Sequence, residues 1–113
     1  MSTRALQELD DVLARSDDAD EALRETVRIL AAEPGIAWAG IAFLDEGSLV
    51  LGPSVGDPDE RRRSAVPIRF EESVVGELVI DGNADPALLE EVAGRIAAHV
   101  LIGWDTGGEA WDP

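Results

Sequence analysis

The sequence predicts an α+β fold: an antiparallel sheet of about four strands with N- and C-terminal helices packed on one face. Three observations lead there. Apolar residues recur every three or four positions at both ends of the chain, they alternate or run together in the middle, and pairs of turn-forming residues separate the middle segments at hairpin spacing.

From Thr3 to Ala14, Leu6, Leu9, Val12 and Leu13 fall three and four apart, which leaves one narrow apolar stripe on an otherwise charged helix. Ser2 or Thr3 can cap it. Asp17 and Asp18 precede Glu21 at a spacing like that of a capping box, ahead of Ala22, Leu23, Val27 and Leu30. A second helix is expected to about Ala32, where Pro34-Gly35 removes an amide donor and then permits a left-handed turn. Ile36 to Leu44 is apolar on both alternating faces, as a central strand requires. Glu46-Gly47 turns the chain into Ser48 to Val55, where Leu49, Leu51 and Val55 share a face and Pro53, lacking a ladder donor, favours a sheet edge. After a charged loop, Gly56 to Arg63, the residues Val66, Ile68 and Phe70 alternate with Ala65, Pro67 and Arg69; Glu72-Ser73 then turns into Val74 to Asp81. Asp85 caps and Pro86 opens a last helix whose stripe is Leu89, Val92, Ala93, Ile96 and Val100. No internal repeat and no long linker interrupts this order, so residues 1–103 form one domain and 104–113 a tail in which Trp104 and Trp111 alone look able to pack.

Composition narrows the function classes. A chain of 113 residues supports one modest core, and 45% hydrophobic content with regular periods is that of a folded protein. Against 24 acidic residues stand 9 basic ones, all arginine, for a net charge of −15. Such a surface repels nucleic acid and anionic lipid, because both are bound by neutralising phosphate with Lys and Arg. With no cysteine there is no disulfide, thiolate metal site or thiol nucleophile. No basic-then-apolar leader opens the chain, and no apolar run approaches the roughly 20 residues of a membrane helix. A cytoplasmic protein without membrane contact is expected.

The pattern Trp38-x-Gly40, then "LVLGPSVGDP", then "AVPI" and "VVGELVID" before a final amphipathic helix resembles the GAF domain. More narrowly it is similar to the free methionine-(R)-sulfoxide reductase branch, across roughly residues 36 to 102. The "LGP…G.P" element is moderately specific; "VPI…VGEL" occurs throughout GAF domains. The resemblance implies a GAF/PAS-like sheet. It also implies a loss: between the "G-x-P" and "V-P-I" elements that branch carries a far longer segment with the catalytic cysteines and a roof over the ligand pocket, and here only Asp57 to Ser64 remain. Sulfoxide reduction needs a thiolate to attack sulfur, and none exists. Of the branch's substrate-binding acids, one falls near Arg62 or Arg63, one is Val79, and only Asp81 is kept. Asp81-Gly82 is also an ordinary turn pair, and that is the preferred reading.

Other candidate sites meet simpler accounts. His99, the only histidine, lies near the end of the last helix as a cation at the helix C-terminus or a packed ring with one hydrogen bond. Asp81 to Asp85 has a faint calcium-loop spacing, but Pro86 stands where the loop's glycine belongs and Val92 at its twelfth position. Asp57, Asp59 and Glu60 beside Arg61 to Arg63 read as offsetting charges on a solvated loop, or as an anion site of the arginine run. Trp38 reads as core, alternating with Gly40 and Ala42. No metal and no cofactor is expected.

Two functions follow from different classes. The first is a non-catalytic GAF-like interaction or dimerisation module in signalling or regulation, acting as a homodimer or with a protein partner, with Leu6, Leu9 and Leu13 packed against their symmetry mates or beside the last helix. The alternative is a small-molecule sensor whose ligand lies on the open sheet face against Trp38, Ala42, Val79 and Asp81, lidded by Trp104 and Trp111. An enzyme is not expected, since no nucleophile, base pair or metal cluster is present.

Overall fold

The computed structural model describes residues 3–15 and 18–105, with side chains for 4–15 and 18–100. In chain order they form α1 (Thr3–Arg15), α2 (Ala19–Ala31), β1 (Ile36–Asp45), β2 (Ser48–Gly56), a 3₁₀ turn (Glu60–Arg62), β3 (Arg63–Phe70), β4 (Ser73–Gly82) and α3 (Pro86–Asp105).

Helix starts follow local chemistry. Asp18 is extended and its side chain accepts from the Asp20 N–H, so the cap bond goes to the second helical residue rather than to Glu21. Asp85 accepts from the Ala87 N–H at 2.9 Å with Pro86 at the first helical position. The far end of α3 differs from expectation: the helix continues through Gly103 and Trp104 to Asp105. His99 therefore stands more than a turn inside the helix and does not face its C-terminal carbonyls. Its Nδ1 is buried with no hydrogen-bond partner among the described residues.

The sheet is antiparallel with the order β2-β1-β4-β3. Two hairpins lie side by side, joined along β1 and β4, and the strand carrying Pro53 is an edge, as is the strand carrying Pro67. The β3–β4 turn falls on Glu71-Glu72, one residue earlier than the sequence suggests. Both residues are left-handed, with φ of 50° and 72°, as a two-residue hairpin demands; the β1–β2 turn meets the same demand with Glu46 and Gly47.

Alternation sorts the side chains of each strand. Ala39, Ile41 and Phe43 of β1, Ile68 of β3 and Leu78 and Ile80 of β4 face the helices, where they join Leu23, Val27 and Leu30 of α2 and Leu89, Val92, Ile96 and Val100 of α3 in the core. The helix α1 docks on α2 and α3 through Ala5, Leu9 and Val12, and the Arg95 guanidinium of α3 holds the Asp10 carboxylate of α1 at 2.5 and 2.6 Å. All three helices thus lie on one side. Among the described residues the other side of the sheet carries no α-helix.

Candidate functional site

The two inner strands bring side chains into rows across the helix-free face. One row runs Gly56, Trp38, Asp81, Arg63 from edge to edge; the next runs Ser54, Gly40, Val79, Ala65; a third runs Leu51, Ala42, Glu77, Pro67. The connection from β2 to β3 starts and ends in the first row, since the chain leaves one edge at Gly56 and enters the other at Arg63. It must cover three strand spacings, about 14 Å, with a fully extended reach of about 23 Å. Gly56 makes the departure possible: its φ is +112° and a Cβ would lie 2.2 Å from the Ala37 carbonyl oxygen.

This crossing segment is tied down by the first row. Arg63 donates from Nε to Asp81 Oδ1 at 2.7 Å and from Nη2 to Oδ2 at 2.9 Å, while the Asp59 N–H donates to Oδ2 at 2.7 Å. Asp81 is fully buried. Hydrogen bonding from Arg63 holds its carboxyl below the ordinary carboxylate value, against burial, with help from the Asp59 N–H and the arginine's charge. The same guanidinium stacks on Trp38, 4.8 Å from the ring centroid, in cation–π contact. Trp38 in turn lies flat across Gly40, where a Cβ would come within 2.5 Å of its Cη2. Glycine, indole, guanidinium and carboxylate form one packed unit.

Below it the face is a shallow concavity of about 550 Å³ lined by Trp38, Ala42, Val79, Leu49, Leu51 and Glu77 among others. Leu49 and Leu51 remain 46% and 52% exposed on the outer strand.

The structure separates the residues expected from the sequence. Trp38, Ala42 and Val79 do line one surface. Trp38 is buried, as expected of a core residue, and it lies on the face opposite the helix-side cluster, where it forms the floor and flank of this unit. Asp81 is neither a turn residue nor open to a ligand: it lies within β4 and is already bonded by Arg63 and Asp59. The charges of the crossing loop do not merely offset one another in solvent, because Arg63 turns inward while Arg61 stays exposed. Leu9 is 1% exposed within the single chain, in the core with α2 and α3, so of its two expected placements it takes the one beside the last helix and not the intermolecular seam; Leu6 and Leu13 are half-buried beside it. The Trp104 side chain and Trp111 lie outside the described residues. Among the described residues no group of acids and histidine is arranged to hold a metal ion. Arg63 is the side chain at this site that the sequence left unassigned; its nearest signal was the resemblance, which set Arg62 or Arg63 where the reductase branch has an acid, a reversal of charge in a chain that retains Asp81.

This geometry, a 2-1-4-3 antiparallel sheet with helices on one side and a ligand-sized face on the other, is a GAF-like fold. The comparison with solved structures agrees. The GAF domain of a phosphoenolpyruvate-protein phosphotransferase from Coxiella burnetii superposes with a TM-score of 0.76 at 15% identity, covering 94% of this chain and 96% of that one. The corresponding domain from Acinetobacter gives 0.69 at 16%, covering 96% and 100%. A free methionine-R-sulfoxide reductase from Neisseria meningitidis, in complex with its substrate, gives 0.69 at 17%, covering 94% and 95%. No family profile matches the chain, and no curated protein does. The fold is therefore shared with GAF sensor domains and with these reductases, while the absence of cysteine closes the reductases' thiol chemistry to this chain. No described helix is long and apolar enough to cross a membrane.

Proposed function

We propose that the chain is a non-catalytic GAF-like interaction module serving signalling or regulation, through a homodimer or a contact with another protein. The observation that carries this is the first row of the open face. Where a ligand's charged group would need an acid, Asp81 is saturated by the chain's own Arg63, and the loop above it is too short to enclose a pocket. Leu6 and Leu13, half-buried at the flank of α1, are the residues of the proposed seam that a partner can still reach. Native mass spectrometry of the purified protein tests the reading. A dimer that Leu13→Asp converts to a monomer, with its circular dichroism unchanged, supports it; a wild-type monomer rejects self-association as the contact. Leu9→Asp is unsuitable here, since it buries a charge inside the protomer.

A second reading, a small-molecule sensor, is favoured by one observation: the concavity beside Trp38, Ala42 and Val79 is within the volume range of ligand sites. Its test is the Trp fluorescence response to amino acids, sulfoxides and nucleotides.

A further inference from the structure

The two carboxylates that β4 presents on the open face are treated differently by the fold. Asp81, in the first row, is buried and paired. Glu77, two rows along on the same central strand, is half-buried between Ala42 of β1 and Pro67 of β3, neither of which carries a charge or a side-chain donor. The Glu77 backbone is part of the sheet, but its side chain makes no hydrogen bond or ion pair among the described residues. The arginine lining the same concavity, Arg63, is committed to Asp81 and Trp38, with Glu60 3.9 Å from its Nη1. What remains around Glu77 is hydrocarbon: Ala42, Val79 and the half-exposed Leu49 and Leu51.

We propose that this lower part of the face binds a small aliphatic cation, an ammonium or guanidinium on a short hydrocarbon stem, with Glu77 as its anionic anchor and Ala42, Val79, Leu49 and Leu51 against the stem. The inference rests on the sensor reading and gives it a ligand class. An anion is excluded by Glu77, by the commitment of Arg63, and by the protein's net charge of −15. A neutral apolar molecule would leave a carboxylate partly desolvated without a partner, at a cost that a cation removes. The first row already displays this recognition within the chain, because Arg63 meets Asp81 with its charged head while packing on an apolar surface.

The probe is n-butylammonium chloride, titrated into ¹⁵N-labelled protein at constant ionic strength, with sodium butyrate in parallel. The expected result is saturable amide shifts at Ala42, Leu51, Glu77 and Val79, with a Kd on the order of 1–10 mM for so small a ligand. Glu77→Gln, which keeps the shape of the side chain on an already formed strand, should weaken binding roughly tenfold or more. Butyrate should give no saturable shift. Unchanged affinity in Glu77→Gln overturns the anchor. Shifts that stay linear and spread over the acidic helices overturn the site, since they report only general attraction to the charged surface. Absence of any response to butylammonium removes the cation class, while a fluorescence change with one of the neutral or anionic compounds would still uphold the sensor reading on its own.

Discussion

Arg63 and Asp81 are eighteen positions apart and belong to neighbouring strands, so their pairing depends on the sheet order. Nothing local in the sequence announces it. Asp81-Gly82 reads as a turn from composition alone, and the arginine run reads as a solvated loop; only the placement of β4 between β1 and β3 converts them into one buried contact. Trp38 and Gly40 show the opposite case, since their two-residue spacing already places them on one face, although which face is decided by the helices. The contact has an acid-dependent signature. The Asp81 carboxyl is held below its ordinary value, so its contribution to stability is complete above the unfolded carboxylate value of about 3.9 and is lost as pH falls through the lower folded value. Asp81→Asn should therefore cost about 1–3 kcal/mol at pH 7, and the gap between its urea midpoint and that of the wild type should begin to narrow only as the pH falls below about 3.9. Arg63→Ala should be more disruptive than Arg62→Ala at neutral pH, because it alone leaves a buried carboxylate without its cation, and the same pair of melting curves should converge in acid.

At the scale of elements, periodicity and caps carried most of the information. The stripe of α3, the Asp18 and Asp85 caps and the edge position implied by Pro53 were all legible, because each is a local matter of spacing or backbone chemistry. The β3–β4 turn was displaced by one residue since Glu-Glu is an unusual pair for two left-handed positions, and tertiary register, rather than turn propensity, sets it there. That conflict makes a prediction. Replacing Glu71-Glu72 by Asn-Gly should stabilise the protein by about 1 kcal/mol, relieving left-handed strain and removing adjacent like charges; an unchanged or lower thermal midpoint would show that the glutamates are held there without cost. Gly40→Val probes the other face. Its side chain would need the space of the Trp38 ring, so the indole should be displaced from the Arg63 guanidinium, with a red-shifted emission and reduced stability as the joint readout.

For the molecule as a whole, charge is the dominant global term. A net −15 on 113 residues opposes compaction through self-repulsion, and the described ion pairs, such as Arg24–Asp20 and Arg95–Asp10, offset only part of it. Salt shortens the range of that repulsion from about 10 Å at 0.1 M to about 3 Å at 1 M. The urea midpoint should rise with sodium chloride over this interval, and a fall would mean that attractive pairs outweigh the repulsion. The whole architecture also depends on where its one crossing connection is attached. Gly56 and Arg63 occupy the two ends of a single row, so the short segment between them takes the direct path over the open face, where Asp59 is tied to Asp81 and Pro58 and Glu60 line the concavity. Cover for that face can be added or removed as an independent part, by lengthening or shortening one segment without exchanging a core residue, and a chain of this kind would be a natural frame onto which a designed cap could be inserted.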